Sequence, residues 1–321
     1  MGRLHDGLHA EQIQSALSGS AAAQSALVAS WGRSMRLYGL NPEKITPPNV
    51  LTDYELREAR ERLGSLINTA AGALDRLYQA VGGAGCCVLL ADKEGVPVDR
   101  RGYPGDDPTF YKIGLWTGAV WSEESEGTNG IGTAIAEQRA LTIHRDQHFF
   151  SRNTALSCTV APIFDHRGRL MAAIDVSSAR SDLTEDFVKL TAMAVVDAAR
   201  RVEVENFRLA FPKARIVMVG DNGSDRIVNS LIAVDADDLV IGASRAARHA
   251  FGLTDETLSH PLPAANLLGQ DIEADRGFAS AERSVIRRAL SRANGNVSAA
   301  ATILGMSRAT LHRKLKRLGL S

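Results

Sequence analysis

The chain has 321 residues, 45% of them apolar and 23% charged, proportions that exclude a disordered or membrane-embedded protein and leave ample material for a core. Its 37 basic side chains balance 37 acidic ones, so any strongly charged partner must be met by a local patch, not by the whole surface. Three cysteines without regular spacing (Cys86, Cys87, Cys158) exclude a disulfide framework and point to a reducing compartment.

The opening residues MGRLHDGLHAEQ lack an apolar leader core, and Asp6 stands where a myristoylation signal needs Ser or Thr. No stretch approaches the roughly 18 apolar residues of a membrane span. The expectation is a cytoplasmic protein of roughly two or three domains with no membrane partner.

Residues 1–50 are expected to be a helical extension, with a helix over Ser25 to Gly39 closed by Asn41-Pro42 and Pro47-Pro48. Thr52 followed by Glu55 predicts a capping box. Leu56, Leu63, Ile67, Ala70, Leu74, Leu77 and Val81 then repeat at helical spacing, which predicts one long amphipathic helix ended by Gly82-Gly83. Beyond it the period changes. Cys86 to Ala91 is a short apolar run before a turn at Asp92 to Gly95, and Leu141 to His144 and Ser157 to Phe164 read as strands. Leu170 to Val176 closes a hairpin across Asp165 to Gly168, and Phe187, Leu190, Ala194, Ala198, Val202 and Leu209 mark a second long helix. Terminal helices around antiparallel strands define an α+β domain over 51–210.

Four features inside that domain invite chemistry. Gly127 to Gly132 has the glycines of a phosphate loop, but no Lys follows, so a glycine-permitted turn into a helix over Thr133 to Gln138 is the better account. His144 and His148 are four apart, yet a strand at Leu141 to His144 keeps that spacing from converging on a metal. Cys86-Cys87 in an apolar strand are packing residues, because neighbouring cysteines bridge only with backbone distortion. The irregular middle, Trp116 to Phe150, mixes aromatic, hydroxyl, amide and histidine groups as a small-molecule pocket does. Trp121, Thr128, Asn129, His144 and His148 are its candidate ligand-binding residues. No nucleophile–base arrangement occurs, and neither catalytic residues, metal nor cofactor is expected.

Residues 211–270 contain a strand, an Asp-rich turn, a strand and a helix over Ser230 to Leu253, a segment similar to the front half of a PAS domain. A polar linker follows at 271–279. The last segment, 280–321, carries nine Lys or Arg against the single acid Glu282; its net charge of +8 leaves −8 on the rest of the chain. That asymmetry points to a polyanion partner at one end. Val285, Ile286, Ala289 and Leu290 form a helical stripe broken at Asn294 to Asn296; an Ala-rich helix spans Val297 to Leu304; and Ser307 is placed to cap a last helix with Leu311, Leu315 and Leu318 on one side. Three short helices with a glycine turn before the third describe a helix-turn-helix. The polar face of the third presents Arg308, Thr310, His312, Arg313, Lys314, Lys316 and Arg317 to a major groove.

The string GNVSAAATILGMSRATLHRKLKRLGL resembles the Fis-type helix-turn-helix of bacterial enhancer-binding regulators. The resemblance implies that Asn296 and Ser298 touch phosphates, Ser307 and Thr310 anchor the recognition helix, and Arg308 and Arg313 reach bases of double-stranded DNA. The strings WSEESEGTNGIGTAIAEQRALTIHRDQHF and SCTVAPIFDHRGRLMAAIDVSS, with Ser30-Trp31-Gly32-Arg33-Ser34 before them, resemble the GAF region of acetoin-regulator-type (AcoR-like) factors over about residues 25 to 210. This implies a sensor pocket for a small organic effector, a homodimer formed through the flanking helices, and, through the family, RNA polymerase as a further partner. The resemblance stops short of the family's AAA+ motor: neither a G-x-x-x-x-G-K-S/T loop nor a GAFTGA loop occurs in these residues. The expected architecture is therefore multidomain α+β, with a GAF-type antiparallel sheet, a PAS-like segment and an all-α helix-turn-helix. The expected function is effector-controlled, sequence-specific DNA binding. The alternative is an effector-independent partner that heterodimerises with a motor-bearing homologue.

Overall fold

The computed structural model describes residues 2–18, 25–44, 48–81, 85–219, 230–268 and, between 282 and 320, all but 284, 287, 288, 291, 292 and 294, with side chains described from Leu8 onward. The terminator Gly82-Gly83, Pro47, the linker 271–279, the start of the tail at 280–281, Arg287, Arg288, Arg292, Asn294 and Ser321 lie outside the described residues. Contacts divide the chain into two units, Met1–Leu262 and Pro263–Ser321.

The extension of the first unit is helical from its start. Helix α1 spans Gly2–Ser18, and α2 spans Ala26–Gly32 and runs on into a π-turn over Arg33–Leu37. Ser25 caps α2 by accepting from the Val28 amide. The predicted Thr52–Glu55 capping box is present, but the long helix behind it is two helices, α3 (Asp53–Leu63) and α4 (Ser65–Val81). Gly64, at φ +53°, makes the break: a glycine adopts that conformation without strain, and the Leu56–Val81 stripe bends there onto the sheet.

The strands β1 (Cys86–Asp92), β2 (Pro97–Arg101), β3 (Leu141–His144), β4 (Ser157–Phe164) and β5 (Leu170–Ser178) form one antiparallel sheet in the order β2-β1-β5-β4-β3. The turn after β1 and the Asp165–Gly168 hairpin stand where the sequence predicts them, with Gly95 and Gly168 at positive φ. Both faces of the sheet are covered, which is why β1 and β4 read as unbroken apolar runs. On one face Cys86, Val88, Leu90, Ile163, Ile174 and Val176 pack under α4 and α8 (Glu185–Ala210). On the other, Cys87, Leu89, Cys158, Val160 and Ala173 pack under Phe110, Leu115, Trp121 and Ile131. The second face is roofed by α5 (Asp107–Ile113), α6 (Glu123–Glu126) and α7 (Gly130–Glu137). Helix α7 starts three residues before the expected Thr133, because Asn129 caps it, accepting from the Gly132 amide at 2.9 Å.

After α8 a smaller antiparallel sheet, β6 (Arg215–Met218), β7 (Leu231–Val234) and β8 (Val240–Ala243), has the order β6-β7-β8 and leads into α9 (Arg245–Phe251) and α10 (Asp255–Leu258). The second unit contains α11 (Val297–Ile303) and α12 (Arg308–Arg317), preceded by helical residues among the described positions from Glu282 to Leu290.

Candidate nucleic-acid interface and sensor interior

In the second unit two capped helices meet at a glycine turn. Asn296 Oδ1 accepts from the amides of Ser298 (3.0 Å) and Ala299 (3.2 Å), which sets the start of α11. Gly305 at φ +62° reverses the chain, and Ser307 Oγ accepts from the Thr310 amide at 3.1 Å to open α12. Leu311, Leu315 and Leu318 bury the inner side of α12 against Ile286, Ala289, Ala300 and Ala301. Packing that stripe inward obliges the polar residues of α12 to face out. Arg308, His312, Arg313, Lys316 and Arg317 are exposed, as is Ser298; Thr310 and Lys314 are half-buried.

Two of these cations are already engaged. The Glu282 carboxylate accepts from Lys314 Nζ and from Arg317 Nη2. The Lys314 hydrogen bond, with the nearby positive charges, holds the Glu282 carboxyl below its usual range. The residues expected to contact DNA thus fall into two sets on α12: Arg308, His312, Arg313 and Lys316 in no ion pair among the described residues, and Lys314 and Arg317 tied back to Glu282, in the helical residues before α11. Asn296, Ser307 and Thr310 serve the helix starts; Ser307 and Thr310 also share a 2.9 Å hydroxyl contact.

In the first unit each of the five candidate ligand residues has a hydrogen-bond partner within the protein. Trp121 is buried among the roof residues and donates its indole N–H to the Gly114 carbonyl at 2.7 Å. Asn129 is the cap of α7, and its amide group also donates to the Gly127 carbonyl at 2.8 Å. Thr128 faces the N-terminal extension, 2.7 Å from Ser30 Oγ. His144, at the sheet edge, has Nδ1 2.9 Å from Ser157 Oγ, and burial lowers its pKa. His148 is fully buried behind the extension, Nδ1 3.0 Å from the Arg145 carbonyl. Burial lowers its pKa to about 4, so it is neutral at physiological pH.

Sequence reasoning passed over what surrounds Thr128. Ser30, Arg33 and Ser34, from the Ser-Trp-x-Arg-Ser string, enter one buried polar cluster with Glu123, Thr128 and Thr133. Arg33 forks onto Glu123 at 2.7 and 2.8 Å and reaches Glu137 at 3.2 Å. Trp31 donates to the Gln147 carbonyl at 2.9 Å. The string therefore fastens α2 to the roof of the sheet. Also missed was Asp175, a fully buried acid inside β5. The signal was present: a single carboxylate interrupts the apolar run Ala172 to Val176.

Comparison with known proteins places this geometry. The family model for the GAF domain matches residues 65–202, and that for bacterial regulatory proteins of the Fis family matches 278–318. The chain thus joins a GAF domain to a Fis-type helix-turn-helix. It is 35% identical over 246 residues to the acetoin catabolism regulatory protein of Cupriavidus necator, covering 76% of this chain and 36% of that protein. It is 30% identical over 148 residues to the acetoin dehydrogenase operon transcriptional activator AcoR of Bacillus subtilis, covering 46% of this chain and 24% of that one. In sequence and domain content the chain is AcoR-like, spanning about a third or less of the length of these relatives. The crystal structure of the E. coli DhaR(N)–DhaL complex shares the fold, with a TM-score of 0.52 at 16% identity over 82% of this chain and 85% of that one. No described helix is long and apolar enough to cross a membrane.

Proposed function

We propose that this chain is a transcriptional regulator that binds double-stranded DNA through α12 and whose GAF domain senses a small organic effector. The observation that carries this reading is α12 itself: its apolar side is buried, its start is capped, and Arg308, His312, Arg313 and Lys316 stand exposed on a helix after a glycine turn. Arg reads guanine edges, and Lys holds phosphates. The curated relatives, named as regulators and activators of acetoin and propane operons, support the same reading.

Two such tails act together in this proposal, because one helix-turn-helix covers only a half-site. The dimer forms through α4 and α8. Leu190 and Met193 of α8 are 65% and 71% exposed, large apolar side chains that one protomer leaves uncovered. Residues 211–270 serve as a PAS-like connector, and an effector acts by its differential affinity for two arrangements of the bracketing helices.

Chromatin immunoprecipitation with sequencing tests the proposal: enriched sites should share a two-fold sequence, and enrichment there should fall in Arg308→Ala. If sites are occupied only when a motor-bearing homologue is co-expressed, the heterodimer reading replaces it.

A further inference from the structure

Where β4, α8 and α9 meet, the first unit leaves a cleft of about 720 Å³. That volume lies within the range of small-molecule sites. Residues of β4 and α8 line one side of it, and residues of β7 and α9 the other. Ala161 and Ala199 belong to the core under α4 and α8, so the cleft lies away from the roofed face of the large sheet. With Phe207 and Leu231 they give it a buried apolar floor. The charged and titratable groups around that floor are Arg139, Asp165, Arg200, Glu203, Arg245 and His249.

The two acids are already engaged. Asp165 accepts from the Arg167 and Arg169 amides in its own hairpin turn, and Glu203 Oε1 accepts from the Phe164 amide at 2.8 Å. Arg139 is also matched, by Glu137. Arg245 is different. Its guanidinium carbon stands 3.6 Å from the centre of the Phe164 ring, which holds the side chain beside the apolar floor. Among the described residues its one hydrogen bond is long, 3.4 Å from Nη1 to Gln138 Oε1, and it forms no ion pair. Burial lowers the Arg245 pKa, so this cation has given up hydration without a counter-ion in contact. A guanidinium carries five N–H donors in a planar fork, and most of them remain for a partner in the cleft.

We infer that this cleft is a ligand site for a monocarboxylate with a hydrocarbon body, its carboxylate seated on Arg245. The inference is independent of the sensing proposal, because the roofed face does not line the cleft. The chemistry selects the class. A guanidinium fork donates to a carboxylate through two parallel N–H bonds. The apolar floor rewards a carbon body, which a bare inorganic anion lacks. An amine would meet the like charges of Arg139, Arg200 and Arg245. Burial pushes Glu203 up to about 7, so near neutral pH it is partly protonated and opposes an anion less than a surface acid does. A bound carboxylate touches both sides of the cleft and so ties the smaller sheet and α9 to α8.

Calorimetry on the full chain tests this with benzoate as the probe. Benzyl alcohol supplies the same body without the charge, and acetate the charge without the body. Benzoate should bind once per chain, and both controls at least about tenfold more weakly. Arg245→Gln should weaken benzoate at least about tenfold. Ala246→Glu, at an exposed position lining the cleft, should do the same by like-charge repulsion without disturbing the core. Glu203→Gln keeps an oxygen for the Phe164 amide and removes a charge, so it should tighten benzoate at pH 8 and change little at pH 6. Wild-type affinity in both Arg245→Gln and Ala246→Glu would overturn the site, as would the absence of saturable benzoate binding. Acetate binding as well as benzoate would mean an adventitious ion only, and benzyl alcohol doing so would overturn the ligand class. Each of these outcomes leaves the sensing proposal where it stood.

Discussion

The helix-turn-helix and the GAF domain treat charge in opposite ways. The tail keeps its cations on the surface of α12 and buries only Leu, Ile and Ala beneath them. The GAF domain hides carboxylates: Asp175 lies under α7, and Glu123 lies in the roof of the sheet, held by the half-buried Arg33 of the extension. Water screens the first arrangement and leaves it ready for a polyanion. The second is expensive, so each buried charge must be matched inside the protein or by something that enters it.

The largest effect should come from the charge with no match. The folded pKa of Asp175, about 7, lies above the unfolded value near 3.8, so the native state binds the extra proton and the carboxyl opposes folding once ionised. Its penalty is absent below about pH 4, grows as the pH rises toward 7, and is complete above, on the order of 4 kcal/mol. Denaturant melts of wild type and Asp175→Asn at pH 4, 6 and 8 should show the variant's advantage growing with pH; a constant difference would mean that folding does not shift the Asp175 pKa.

Arg33→Met strips the cation from a carboxylate only 3% exposed, leaving it the Ser30 and Thr133 hydroxyls; with Arg33 itself half-buried, the loss should be about 2 kcal/mol, below that of a fully buried pair. The loss should be partly recovered in Arg33→Met with Glu123→Gln. Equal melting temperatures for wild type and the single variant would show that the α2 clamp contributes nothing.

In the tail the expected effects are smaller and appear in binding. Arg308→Ala should cost about 1–3 kcal/mol per lost bidentate base contact and relax the sequence preference. Lys316→Ala should weaken all sequences alike and flatten the dependence of log K on log salt by about one unit. Competition against operator variants at several salt concentrations separates the two, and identical profiles would remove α12 from the groove.

Glu282→Gln carries the smallest effect. It releases Lys314 and Arg317, so non-specific DNA affinity should rise a few-fold, with a salt slope steeper by about one to two units. An unchanged slope would mean that those two side chains never reach phosphate.

How much of this was legible in the sequence differs between the two regions for the same reason. The cap at Ser307, the turn at Gly305 and the stripe Leu311-Leu315-Leu318 are local signals, each settled within a few residues, and the structure keeps all of them, while adding a cap at Asn296. Strands β3 and β4 also stand as their periodicity predicts. The long helix over Leu56–Val81 was misjudged at one residue, Gly64, where a periodic stripe hides a bend. The five pocket candidates were chosen by residue type, which does not show the partners the fold gives each: Thr128 meets Ser30 of the extension, Trp121 the Gly114 carbonyl and Asn129 the start of α7.

By itself, then, the sequence determined several of the elements, the family likeness and the basic recognition helix, because caps, periods and charge act over one or two turns of chain. Only the tertiary structure decided which charges are buried and with whom. Arg33 meets Glu123 across 90 residues, and Asp175 faces Gly130 across two strands and a helix start. Burial in a low-dielectric interior is a property of that assembled neighbourhood, and no short window of sequence contains it.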